Sequence, residues 1–108
     1  MRRGDIITVV VPGAYGKPRP ALIVQSDLFD AHPSVSILPI TSDLRDTRLF
    51  RVSILPTAGN GLQKPSQIMA DKTTTIPKEK IGNIIGKAEY AIMQEVDRCL
   101  ALFLGIAG

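Results

Sequence analysis

Short apolar runs alternate along the chain with clusters of proline, glycine, asparagine and aspartate, and that rhythm predicts β structure over most of its length. Residues 6–11 read as a first strand, stopped by Pro12-Gly13, and residues 12–18, PGAYGKP, read as a mobile loop. Residues 21–25, ALIVQ, are almost continuously apolar, which predicts a second strand buried on both faces. A turn region over 26–33 leads to a third strand at 35–40, followed by the polar loop TSDLRDT. Residues 49–55 alternate imperfectly and predict a fourth strand, and PTAGNGLQKP, with its Asn60-Gly61 pair, is a turn cluster. Residues 66–70 predict a fifth strand. The β-branched stretch 73–76 extends it or forms a sixth, and 81–86 predict a further short one. Residues 89–104 break the pattern: Ile92, Val96, Cys99 and Phe103 share one helical face, Glu95, Asp97 and Arg98 take the other, and Gly105 supplies a stop. The expectation is a mostly β fold, a small barrel with one C-terminal helix packed on it.

At 108 residues the chain has the length of one domain, and 44% apolar with 21% charged residues suits a globular core. The only cysteine, Cys99, excludes an internal disulfide or a cysteine-based zinc site, and the only histidine, His32, excludes a two-histidine metal motif. The apolar run at 6–11 is too short for a signal-peptide core, and Leu100 to Leu104 falls far short of the about 20 residues a membrane helix needs. The expectation is a cytoplasmic protein with no membrane partner. Thirteen Lys and Arg against ten Asp and Glu give a net charge of +3, which permits a nucleic-acid partner without requiring one.

Strong catalytic signatures are missing. Gly16-Lys17 has the look of a phosphate-loop ending, but Pro18 replaces the hydroxyl residue and Val11 replaces the first glycine. His32 has no Ser or Asp pattern beside it and reads as a surface loop residue. Catalysis would therefore rest on carboxylates, hydroxyls and guanidinium groups. Arg19, between two prolines at the entry to the second strand, is either a stiffly held anion clamp or a surface arginine in an ion pair. Thr41 and Ser42, at the end of the third strand, either donate to a phosphate or cap a turn. Asp71 follows the fifth strand beside Lys72, as a solvated pair or, in a cleft with Arg19, a proton acceptor.

Five segments carry a family resemblance in order: RRGDIITV, a glycine-containing loop, RPALIVQSD, LPITSD and PSQIMADKTTTIPKEKIGNIIG. Together they resemble the MazF/PemK family of toxin endoribonucleases, from about Arg3 to Gly105. Arg3-Gly4-Asp5, Arg19-Pro20-Ala21 and Pro39-Ile40-Thr41-Ser42 are the most specific pieces. The resemblance implies an SH3-like barrel of the CcdB/MazF type that forms a homodimer. It implies metal-independent cleavage of single-stranded RNA, without a cofactor, leaving 2′,3′-cyclic phosphate and 5′-hydroxyl ends. It also implies a cognate antitoxin with an acidic, flexible tail. The family's central arginine matches Arg19, and its hydroxyl residue matches Thr41, with Ser42 beside it. Some members carry Arg-x-Asp near the fifth strand; here the aspartate position is Asp71 and the arginine position is Met69, which shifts the weight to Arg19 and Thr41.

The chemistry fits that transfer, because RNA supplies its own nucleophile and needs only groups that take the 2′ proton, hold the phosphorane oxygens and protonate the 5′ oxygen. Arg19 would neutralise the phosphorane and Thr41 would hydrogen-bond it, with Asp71 the first candidate base and a water or Arg19 itself the alternatives. Tyr15 would stack on a base and Lys17 track a phosphate, unless PGAYGKP is a plain hairpin tip. Arg45 and Arg48 would extend the RNA track, or be solvated charge diluted by Asp43 and Asp46. Leu100, Leu102, Phe103, Leu104 and Ile106 exceed what one helix face buries on a small barrel, and some would enter a dimer interface. Two other readings remain. Leu104-Gly105-Ile106 retains part of the Trp-Gly-Ile end of the CcdB gyrase inhibitors, and a non-catalytic SH3-like module would bind through an aromatic groove, for which 5% aromatic residues offer little material.

Overall fold

The computed structural model describes residues 1–10 and 16–106. Within them the strands are β1 (Asp5–Val9), β2 (Arg19–Ile23), β3 (Ser34–Thr41), β4 (Arg51–Ile54), β5 (Ser66–Met69), β6 (Thr74–Pro77) and β7 (Ile81–Lys87), followed by the helix α1 (Tyr90–Leu104). All ladders are antiparallel, in the order β4-β5-β3-β2-β1-β7, with β6 also on β3. The stretch after Thr73 is thus a strand of its own, while Ala70 leaves β5 and enters a 3-10 turn, Ala70–Lys72.

β3 organises the sheet. One edge pairs with β2 over Ile37–Pro39; the other pairs with β6 over Ser34–Ile37 and with β5 over Ile40–Thr41. Proline inside such a strand needs an explanation, because it cannot donate to a ladder. Ser36 accepts the Val24 N–H at 3.1 Å, so by alternation Pro39 turns its nitrogen to the opposite edge. It lands at the step between the β6 ladder and the β5 ladder, where no donor is required.

The strand alternation feeds two apolar clusters. Ile6, Leu22 and Leu38 point to one side, where Ile40, Val52, Ile54 and Ile68 join Val96 and Cys99 of α1. Ile7, Ala21, Ile23 and Ile37 point to the other, with Val9, Val35 and Ile76. Ala21, Leu22 and Ile23 are all buried, as the unbroken apolar run of β2 predicts.

α1 ends at Gly105, whose φ of 72° lets its N–H reach the carbonyls of Ala101 and Leu102. Val96 and Cys99 are fully buried and Ile92 partly, but Phe103 is 51% exposed. The predicted face is therefore core from Ile92 to Cys99 and opens to solvent at Phe103 in the last turn. Arg3 ties this end of the molecule together: its Nε donates to the Val24 carbonyl at 2.8 Å and its guanidinium pairs with Asp97 of α1. Asp5 is buried and accepts the Arg2 N–H at 2.7 Å. The Arg3-Gly4-Asp5 motif is a structural joint.

Candidate active site

The β2–β3 ladder stops at Ala21↔Pro39. Carried two residues on, its register sets Arg19 against Thr41, on the same face by alternation. Pro20 explains the stop. Gly4 N–H reaches the Ile23 carbonyl toward β1, so Pro20 turns its nitrogen toward β3, where the next rung would need a donor. Without that rung the strand ends part, and a cleft of about 870 Å³ opens there. Arg19, Thr41, Ser42 and Asp43 line it, together with Lys64 and Met69. Arg19 is exposed, and among the described residues its guanidinium takes part in no ion pair.

The Thr41 hydroxyl is oriented from behind. Its Oγ1 accepts the Asp43 N–H at 3.0 Å, which leaves its own proton free to donate into the cleft. Lys64 and its neighbours reach the cleft because Asn60 fixes their loop. Its buried Oδ1 accepts the Thr57 and Leu62 N–H groups, both at 3.0 Å, and its Nδ2 donates to the Leu55 carbonyl at 2.8 Å. A Cβ at Gly61, where φ is 70°, would stand 2.1 Å from the Ile85 carbonyl oxygen, so only glycine lets this loop lie on β7. Asn60-Gly61 is legible in the sequence as a turn; that the turn delivers Lys64 to the cleft is not.

A second depression of about 390 Å³ adjoins the first beyond the Asp43-Leu44 step, and Arg45, Arg48 and Arg51 line it. Arg45 pairs with Asp43 at 2.9 Å. Arg51 is committed inward, as its Nη1 donates to the Asp43 carbonyl and to Gln67 Oε1, both at 2.9 Å, and its Nη2 lies 3.6 Å from Met69 Sδ.

The structure thus brings Arg19, Thr41 and Ser42 to one cleft and places Arg45 and Arg48 in the next. Lys17 is exposed one residue before Pro18, which lines the first cleft. Tyr15 lies outside the described residues. Asp71 sits in the 3-10 turn after β5 and lines neither cleft; its buried Oδ1 has no hydrogen-bond partner among the described residues. The carboxylate that does line the first cleft, Asp43, is one that sequence reasoning treated as charge dilution. His32 is exposed, and its Nδ1 accepts the Ser34 N–H at 3.1 Å within its own turn. Burial pushes the thiol of Cys99, on the core face of α1, up, with Arg98 partly offsetting it. Among the described residues no three His, Cys, Asp or Glu side chains gather as a metal-binding group, and no helix is long and apolar enough to cross a membrane.

A seven-stranded antiparallel sheet with one C-terminal helix defines the class, a small mostly β toxin-like fold of the SH3-like barrel type, with a cleft where the β2–β3 ladder ends. The chain belongs to the PemK-like, MazF-like toxins of type II toxin–antitoxin systems, whose family model matches residues 2–104. It is 48% identical over 109 residues to a probable endoribonuclease MazF of Mycolicibacterium smegmatis, covering all of both chains. Among solved structures, the Mycobacterium tuberculosis toxin MazF-mt6 superposes with a TM-score of 0.81 at 26% identity, over 96% of this chain and 99% of that one. An endoribonuclease in complex with its cognate antitoxin, from a mycobacterial species, shares the fold with a TM-score of 0.85 at 23% identity, over 100% and 98% of the two chains.

Proposed function

We propose that this toxin endoribonuclease seats a phosphodiester of single-stranded RNA between Arg19 and Thr41 and that the strand then cuts itself. One observation carries this reading: Arg19, outside any ion pair among the described residues, and the Thr41 hydroxyl, which accepts the Asp43 N–H, line the same cleft. The 2′ oxygen attacks phosphorus, the bond to the 5′ oxygen breaks, and the products are a 2′,3′-cyclic phosphate and a 5′-hydroxyl. Arg19 neutralises charge growing on the phosphorane oxygens, and the Thr41 O–H donates to the same group, with Ser42 in support. Asp43, as the carboxylate of the cleft, takes the 2′ proton in preference to Asp71, and the departing 5′ oxygen is protonated from solvent. No step requires a metal or a cofactor.

Arg45 and Arg48 continue the positive track along the strand. The same track fits the acidic, flexible tail of a cognate antitoxin, which would exclude RNA by occupying it. The exposed Leu102, Phe103, Leu104 and Ile106 supply apolar area for a homodimer. The Leu104-Gly105-Ile106 segment is used as a helix cap, which supports cleavage over a gyrase-directed reading.

The test is incubation with single-stranded RNA in excess EDTA, followed by mapping of both ends. The expected result is site-selective cutting with cyclic phosphate and 5′-hydroxyl ends. Ends bearing a 5′-phosphate, or cutting that stops in EDTA, would contradict the reading.

A further inference from the structure

Between Thr41 and Arg51 the chain leaves the sheet, yet its first residues are held as firmly as a strand. Three of the bonds converge on one side chain: Gln67 Oε1 accepts the Arg45 N–H at 2.9 Å and Arg51 Nη1 at 2.9 Å, while Gln67 Nε2 donates to the Arg45 carbonyl at 2.8 Å. Arg51 Nη1 also donates to the Asp43 carbonyl at 2.9 Å. Gln67 is 8% exposed, so these bonds are shielded from water, and the donors around Oε1 admit only one orientation of the amide. Cross-strand pairing explains how both side chains get there. Ser53↔Gln67 and Arg51↔Met69 in the β4–β5 ladder put Arg51 and Gln67 on one face, beneath the segment. Thr41 itself is set against Gln67 in the β3–β5 ladder.

That segment carries the Asp43 N–H on which Thr41 Oγ1 rests. We infer that Arg51 and Gln67 are positioning residues for the Thr41 hydroxyl: they hold Asp43–Arg45, the Asp43 amide fixes the Thr41 rotamer, and the hydroxyl proton is thereby aimed at the scissile phosphate. The inference rests on the role given to Thr41 above and adds two residues that touch no substrate. A guanidinium fork and a buried amide suit the task, because neither can swing without losing several bonds at once.

The experiment is a set of cleavage assays on the full chain with single-stranded RNA, with kcat and KM measured separately. The variants are Gln67→Met, which keeps the shape and loses the bonds, and Arg51→Lys, which keeps the charge and loses the fork. Each is made alone and with Thr41→Ala. Misplacing a reacting group by a fraction of an ångström to an ångström is expected to lower kcat by about 10–100-fold, with KM little changed. Once Thr41→Ala is present, neither substitution should slow cleavage further, since the group being positioned is gone. Losses that multiply in the double variants, or a change confined to KM, would overturn the positioning role while leaving the site intact. A Thr41→Ala protein that cleaves normally would overturn the site reading and this inference together. Thermal unfolding reports whether Gln67→Met folds; if it does not, Arg51→Lys decides the matter by the same criteria.

Discussion

Arg19 lines the first cleft and Arg51 the second depression, and the two guanidinium groups are placed in opposite ways. Arg51 opens β4, in the end pair of the β4–β5 ladder, and turns its two Nη groups inward, to the Asp43 carbonyl, Gln67 and the Met69 sulfur. Arg19 arises where a ladder has been stopped by proline, is exposed, and forms no ion pair among the described residues. A guanidinium whose Nη donors are taken up inside the protein holds a loop in place; an exposed one outside any ion pair is available to a ligand. Pro20, which stops the β2–β3 ladder short of Arg19, marks the difference on the backbone.

Mutation separates the two most sharply at Arg19. Arg19→Ala should lower cleavage by at least 10²–10³-fold, as loss of a transition-state donor does, with an unchanged thermal unfolding curve. Arg51→Ala should reduce stability by about 1–3 kcal/mol, because it strands buried acceptors that it now satisfies. Equal effects of the two on unfolding would erase the distinction. Next in size is Thr41→Ala, expected to slow cleavage by about 10²-fold, against a severalfold loss for Ser42→Ala. Matching small losses would return both residues to the role of turn caps.

A control removes stability without touching the cleft. Ile37→Ala, in the cluster away from the helix, should destabilise by about 2–5 kcal/mol while cleavage per folded molecule at low temperature is preserved. Lost cleavage in that folded variant would mean that stability and activity are not separable as claimed. The smallest effect concerns Cys99. Its thiol holds its proton more tightly when folded than when unfolded, so it costs no stability at neutral pH and lowers stability as pH rises past the ordinary thiol value of about 8.5. Cys99→Ala should flatten the decline in unfolding free energy over that range. An unchanged slope would assign the decline to other groups.

Apolar runs punctuated by proline and glycine made the strands legible, and a 3.6-residue period made the helix so. Two features escaped these patterns. Phe103 keeps helical phase with Val96 and Cys99 yet is half exposed, and phase says nothing about what lies beneath a given turn. Asp71 follows its strand as Asp43 follows Thr41, and both look like strand-end carboxylates; only the 3-10 turn at Ala70–Lys72 takes Asp71 away from the cleft. Arg19 and Thr41 are readable as candidates, but their opposition depends on the β2–β3 register, a long-range property. Gln67 gave no signal, because a glutamine in a short strand reads as solvent-facing unless the loop that it holds is known.

The central claim is that Arg19, not Arg51, is the guanidinium that meets the phosphate. The most direct measurement follows the arginine Nε–H resonances by NMR while adding an RNA strand that the protein recognises, made uncleavable by a 2′-deoxy sugar at the cut site. The Arg19 resonance should shift and become protected from exchange with water, and that of Arg51 should stay in place. A shift at Arg51 with none at Arg19 would contradict the account.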